Sequence, residues 1–322
     1  MLAFSLRRLG SAVLVLFAIS ALVFLIFFAT PGVDPAARIA GRNADPATLA
    51  QVRHSFGLDQ PIPIQYVQMM RHLFVSRDLE SFVNRGAKVI PQILQAAPVT
   101  LSLVFGAAVI WMLLAVLMGT TAVRLRGTIA DPIIMLAGVV GLSLPVYWLG
   151  EVVNLITQNR LHDGLFAWVP PLGYTPFGQD PVQWALHLLF PWLTLAVLYA
   201  GIYARLLRSE LITTLDQDYV RTARAKGISE RRILIRHALR CSLIPIVSLF
   251  GLDFGALVGG AALLTEVVFG LPGVGKLTYN ALQNIDLPMI MGTVLYAAFF
   301  VVLANAVVDI LYARLDPRVR RG

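Results

Sequence analysis

The chain has 322 residues, of which 57% are hydrophobic and only 14% charged, with a formal net charge of +8 and a mean hydropathy of +0.74. A soluble domain carries about a quarter charged residues, so this composition excludes an ordinary water-soluble globular protein. A single cysteine, Cys241, excludes an internal disulfide and a cysteine metal cage.

Charge-free runs cover residues 9–29, 89–123, 132–150, 181–204 and 287–308, and residues 241–265 are broken only by Asp253. About 20 apolar residues at 1.5 Å each cross a ~30 Å hydrocarbon core. The runs therefore predict six transmembrane helices, at 9–29, 98–122, 132–156, 184–205, 243–267 and 289–312, in an all-α integral membrane protein. The first run is longer than the roughly 7–15 apolar residues of a signal peptide and reads as a retained anchor. Arg7 and Arg8 read as residues that hold the N-terminus inside, in preference to a twin-arginine export signal.

Lys and Arg accumulate on cytoplasmic flanks. With the N-terminus inside, the inner segments carry two, two, nine and four basic residues, 17 of the 26. Both termini are then cytoplasmic, and the net charge is an orientation signal, not a nucleic-acid footprint. Residues 30–97 fall outside, with helix-like stretches at 47–56 and 64–75 separated by Pro61 and Pro63. The expected organisation is the N-terminus and span one at 1–29, an extracytoplasmic cap at 30–97, and a five-span core at 98–322 that contains a cytoplasmic elbow at 206–241.

The elbow reads DQDYVRTARAKGISERRILIRHALRCSLIP over residues 216–245. Asp216 or Asp218 suits a helix N-cap, and the basic residues that follow suit a helix C-terminus. Gly227 fits a left-handed helix end. Ser229 suits the cap of a second helix that runs through Arg232, Leu234 and His237 toward span five. The alternatives are a solvated basic loop or a surface helix lying on anionic lipid. A DNA-binding helix-turn-helix fits poorly, because both ends are tied to spans.

Between spans five and six, FGLPGVGKLT at 269–278 nearly matches a nucleotide-binding loop, G-x-x-x-x-G-K-[ST]. Leu277 stands where a Mg²⁺-binding hydroxyl belongs, and a transmembrane helix precedes the stretch where a strand should. It reads as a Gly/Pro turn on the outer face.

Acidic residues within the spans are costly, about 2.5–3.5 kcal/mol each at the bilayer centre on insertion scales. Asp253 in mid-span is a candidate pore or gating residue, facing a substrate amine or bonded to a polar group on a neighbouring helix. Glu266 and Glu151, nearer the outer ends, are further pore or gating candidates, and Asp309 is expected to pair locally. Pro145, Pro191 and Pro245 are candidate kinks.

The stretch YVRTARAKGISERRILIRHALRCSLIPI resembles the cytoplasmic coupling motif of ABC-importer permeases in its dipeptide/oligopeptide form. LRRLGSAVLVLFAISALVFLIFFATPGVDPA (6–37), FGLDQPIPIQYVQMM (56–70), SLPVYWLG (143–150) and TEVVFGLPGVGKLTYNAL (265–282) resemble further stretches of that family in the same order. The resemblance is to the subunit type with a long outer segment after span one. It implies the type I importer permease fold and a non-catalytic subunit with no cofactor of its own. A second homologous permease would complete the pore. Two ATPase subunits or domains would carry ATP and Mg²⁺, and an extracytoplasmic binding protein would deliver a peptide.

Asp218, Tyr219, Arg221, Thr222, Ala223, Arg224, Ala225, Lys226 and Gly227 would then couple the pore to an ATPase, the small residues allowing close approach and the basic ones pairing with acidic groove residues. The chain departs from the family pattern at Arg221-Thr222-Ala223, at SRDLESF (76–82), where a Gly-Asp-Leu-Gly-like turn is usual, and at Glu151. Nickel or another small solute is the alternative substrate. An ion-coupled secondary transporter is the alternative class, although the sequence shows neither an internal repeat nor a pair of broken helices. Ser143 and His187 are the only tempting pair for a membrane serine protease, and the second glycine of its motif is missing.

Overall fold

The computed structural model describes residues 2–28, 35–40, 45–55, 57–84, 86–158 and 164–315. The turn after the first span, the side chains of Arg7, Arg8, Asp309 and Arg314, and the basic tail at Arg318, Arg320 and Arg321 lie outside the described residues. All named elements among the described residues are helices. In chain order they are α1 (Leu2–Phe28), α2 (Pro35–Ala40), α3 (Pro46–Ser55), α4 (Ile62–Arg71), α5 (Val89–Arg124), α6 (Ala130–Ser143), α7 (Val146–Thr157), α8 (Pro181–Leu215), α9 (Asp218–Ala225), α10 (Glu230–Arg232), α11 (Leu239–Ala256), α12 (Leu263–Val268), α13 (Val274–Asn284) and α14 (Leu287–Leu315). Four stretches, Val89–Arg124, Pro181–Leu215, Glu230–Ala261 and Leu287–Val308, are long and apolar enough to cross a membrane, and α6 with α7 forms a broken fifth. The described part of α1 adds a shorter apolar helix, Gly10–Ile26.

Contacts between the helices give their relative directions. The Trp192 indole N–H donates to the Ser102 carbonyl at 3.0 Å, and Gly119 lies beside Leu207, so α5 and α8 run parallel. Gly138 faces Gly201 and Gly141 faces Val197, so α6 runs against α8. Gly251 faces Val308 and Gly259 faces Ala297, so α11 runs against α14. Residues 125–129 and 216–229 therefore share one end of the bundle, and residues 86–88 and 269–286 share the other.

The main core lies between α5 and α8, where the fully buried Trp111 stacks on Tyr199 with ring centroids 4.8 Å apart. Lipid tails are as apolar as Leu, so this contact holds by close packing and not by exclusion of water. A second cluster joins α1, α4 and the turn after it, α5 and α14 through Phe24, Met69, Leu73, Ile93 and Ile290. Ser20 Oγ and Tyr66 Oη lie 2.6 Å apart, which ties residues 57–84 to α1.

Two spans are interrupted, where the sequence suggested kinks at Pro145 and Pro245 but no broken helix. The span at 132–156 is two helices bent by 93° between Ser143 and Val146. Leu144 is extended (φ −86°, ψ 126°), the conformation that the ring of Pro145 imposes on its predecessor. The span at 243–267 passes through a π-helical turn at Leu257–Ala261, where Gly260 takes φ +120°. Pro191 and Pro245, by contrast, lie inside continuous helices.

An ion pair absent from the sequence reading closes the end that carries residues 125–129. Arg208 Nε donates to Asp131 Oδ1 at 2.7 Å and Arg208 Nη2 to Oδ2 at 2.5 Å, joining α8 to the first turn of α6. Asp131→Asn is expected to lower the stability, because it removes the charged acceptor of both Arg208 bonds. Thermal unfolding in detergent reads the loss, and an unchanged midpoint would show that the pair contributes nothing.

Candidate functional site

The elbow is built by local chemistry. α8 runs 35 residues before the chain turns at Asp216. The residue that caps α9 is Gln217, with no side-chain cap bond. Asp216 instead ends α8, and Asp218 begins α9. The expected Asp cap is therefore corrected to a helix start in which Asp218 favours the positive end of the dipole.

The far end matches expectation. Gly227 takes φ +76°, its N–H donates to the Arg224 carbonyl at 2.9 Å, and the Ile228 N–H donates to the Ala223 carbonyl at 3.2 Å. These two bonds define the Schellman ending, and glycine accepts its left-handed residue without strain. Ser229 stands at the N-cap of α10, but its side chain makes no cap bond. The second arm then continues without a break through Ile233–Ala238 into α11. The second arm and the first part of the interrupted span are thus one continuous helical stretch.

The elbow's charges are partly committed within the chain. Arg224 Nε donates to Glu230 Oε1 at 2.7 Å and Nη2 to Oε2 at 3.2 Å, clamping the two arms together. That contact holds the Glu230 carboxyl below the usual carboxylate range. Arg221 Nη1 lies 3.4 Å from Asp218 Oδ1. Lys226 makes no ion pair among the described residues. Val220 is buried and anchors α9, while Tyr219, Thr222, Ala225, Lys226 and Gly227 are exposed and Ala223 is half-buried. The tip therefore presents a small, basic surface.

At the opposite end, Glu266 on α12 is 0% exposed. Its Oε1 accepts from the Thr100 hydroxyl of α5 at 2.6 Å. Its Oε2 accepts from the Lys276 N–H in the first turn of α13 at 2.9 Å. Thr100 Oγ1 in turn accepts from the Val274 N–H at 2.8 Å. One carboxylate thus joins three elements, and it serves as the anion at the N-terminus of α13. Its seat explains the glycines. A Cβ on Gly273 would overlap the Glu266 carboxylate, and one on Gly275 would stand 2.6 Å from Leu263 Cα. In GLPGVGK the backbone donors that would cradle a phosphate are turned to a protein carboxylate, and α12 stands where a strand would.

Between the two ends, the Tyr203 hydroxyl donates to Asp253 Oδ2 at 2.7 Å. Asp253 is half-buried, beside an aromatic group that includes Trp111, Tyr199 and Phe250. Glu151 is exposed on α7 and makes no ion pair among the described residues. Asn154 Nδ2, one turn on, donates to the Val268 carbonyl at 2.9 Å, fastening α7 to α12.

No atom would lie within 4 Å of a Cβ on Gly260, so its backbone angle alone requires glycine. Gly260→Ala is expected to cost about 1–3 kcal/mol as strain at a left-handed residue. Denaturation in detergent checks this, and an unchanged stability would show that this position does not require glycine.

The sequence reading missed Thr100, Tyr203, Asp131, Arg208 and the Gly259-Gly260 pair. Only the last carried a local signal, two adjacent glycines within an apolar span. It also missed Asp286, which accepts from the Ser81 hydroxyl and, at 3.1 Å, from the Phe82 N–H, locking the segment before α5 to the turn before α14. The departure at SRDLESF coincides with Arg77 at φ +56°, a conformation that glycine adopts freely.

Residues 111–321 match the family described as the binding-protein-dependent transport system inner membrane component. Residues 1–104 match the N-terminal domain described for the same transport-system membrane components. A Brucella abortus (strain 2308) protein that carries a provisional name as a peptide transport system permease is 38% identical over 320 residues, 99% of each chain. The di/tripeptide transport system permease protein of Pseudomonas aeruginosa (strain UCBPP-PA14) is 34% identical over 340 residues, 99% of each chain. The glutathione transport system permease protein of Salmonella choleraesuis (strain SC-B67) is 36% identical over 320 residues, again 99% of each.

Proposed function

The chain belongs to the family of binding-protein-dependent transport system inner membrane components, and from that premise we propose that it is the permease subunit of an ATP-driven peptide importer. It is a multi-pass inner-membrane protein. The observation that carries the reading is similarity along nearly the whole chain to relatives named for di/tripeptide and glutathione transport. In our reading, six spans hold both termini in the cytoplasm, and a second homologous permease completes the pore. Two ATPase subunits or domains bind ATP and Mg²⁺, and this chain binds neither. An extracytoplasmic protein delivers the peptide to the outer end.

The elbow residues Asp218 to Gly227 seat in an ATPase groove. Arg221 and Lys226 face the acids of that groove, while Arg224 holds the elbow closed on Glu230. When ATP closes the ATPase pair, the elbow moves. The helical arm from Glu230 to Ala256 carries that motion past Asp253 to the Gly260 hinge and the Glu266 junction, with Glu151 on the adjoining α7. The outer junction opens and closes the pore mouth.

The test is uptake by the whole importer reconstituted in liposomes with its binding protein. A labelled di- or tripeptide is expected to accumulate only when ATP is present on the elbow side. Accumulation of nickel in place of peptide would move the substrate to another small solute. Accumulation driven by an ion gradient without ATP would overturn the importer reading.

A further inference from the structure

A cavity of about 490 Å³ opens beside the Glu266 junction, lined by Gln92, Gln95, Tyr174, Pro272, Lys276 and Asn280 among others. That volume lies within the roughly 300–1,000 Å³ range of small-molecule sites. Lys276 is the single basic residue between Arg240 and Arg314. It is half-buried and makes no ion pair among the described residues. Its Nζ donates to the Gly270 carbonyl at 3.2 Å, which leaves donors of the ammonium uncommitted. The ammonium forms no close ion pair among the described residues, although the buried Glu266 carboxylate lies nearby, and the other polar side chains of the cavity are amides and a phenol, a set suited to an organic anion. The three amide side chains both donate and accept, as peptide groups require.

We propose that this cavity receives the incoming peptide by its C-terminal carboxylate, held on the Lys276 ammonium, while Gln92, Gln95 and Asn280 bond its backbone. The proposal rests on the peptide-importer reading above and adds a subsite to it. The position has a mechanical consequence. The Lys276 backbone N–H is bound to Glu266, and Val99, which also lines the cavity, precedes Thr100. A ligand pulling on Lys276 and α5 therefore acts on the two groups that clasp the junction, so arrival of a carboxylate favours its release.

The complete importer in nanodiscs or liposomes, with its binding protein, tests this with two probes, alanyl-phenylalanine and its C-terminal amide. Loading of the binding protein with each probe is measured separately by calorimetry, and turnover is expressed per loaded binding protein. The wild type is expected to turn over the free acid at least about tenfold faster than the amide. Lys276→Gln is expected to erase that preference, and Lys276→Arg to restore most of it. Such a pattern separates recognition from a structural defect, which would slow both probes alike and leave their ratio intact. A wild-type acid/amide ratio that persists in Lys276→Gln overturns the subsite and leaves the peptide-importer reading standing. Absence of uptake of either probe by the wild type overturns both.

Discussion

Glu266→Ala is expected to destabilise the protein by roughly 2–6 kcal/mol, because it strands two buried donors at about 1–3 kcal/mol each. Those donors are the Thr100 hydroxyl and the Lys276 N–H, which end on the two carboxylate oxygens. The order of a substitution series is more diagnostic than the size of one effect. In Glu266→Gln the amide oxygen can accept from Lys276 while the amide NH₂ donates to Thr100, whose hydroxyl oxygen accepts. Glutamine is therefore expected to retain most of the stability and alanine little of it. Thermal unfolding in detergent, with uptake measured in parallel, gives the ranking. Equal loss in Gln and Ala would mean that the negative charge at the start of α13, more than the hydrogen-bond count, holds the junction.

The second large effect is expected at the elbow. Gly227→Val forces a β-branched residue into a left-handed conformation, at about 1–2 kcal/mol for an L-residue and more for a branched one. No atom lies within 4 Å of the added Cβ, so the damage comes from the backbone and is confined to the Schellman ending. The membrane core should survive, and the protein should insert and assemble. Uptake is expected to fall at least about tenfold while the partners still hydrolyse ATP, because a tip that no longer holds its shape transmits less of their motion. Gly227→Asn is the control, since Asn tolerates the left-handed region, and it should retain much of the coupling. Normal uptake per ATP hydrolysed in the valine variant would remove the elbow from the coupling path.

What could be read before the structure follows the range of the forces involved. The apolar runs announced the spans, because hydrophobic length is a one-dimensional property. The ending at Gly227 was visible because a helix end is decided by the few residues around it. Pro145 was legible as a kink, but not as a 93° break, since the angle depends on what α7 packs against, namely α8 and the Val268–Phe269 segment. The Asp cap of α9 failed for a similar reason. Two acids compete for that role there, and the long helix before them keeps Asp216.

The junction was the least legible part. Thr100 and Glu266 are 166 positions apart, and Asp131 and Arg208 are 77 apart. Nothing in the sequence near Thr100 distinguishes it from any other threonine in an apolar helix. The near-match to a nucleotide loop at residues 269–278 shows both sides. The local reading expected a turn here, but the structure places it at Phe269–Gly270, before the proline, with Gly270 at φ +69°, and the reason for Gly273 and Gly275 is a carboxylate from a neighbouring helix, visible only once the chain is folded.

The central claim is that this chain works as one part of an importer powered by other chains. Isolating it from its native membrane in mild detergent and identifying the co-purifying proteins by mass spectrometry tests that claim most directly. A second multi-span permease is expected to accompany it, together with two ATPase chains, or one ATPase present twice. A protein that purifies alone and carries out ion-coupled uptake in liposomes would contradict it.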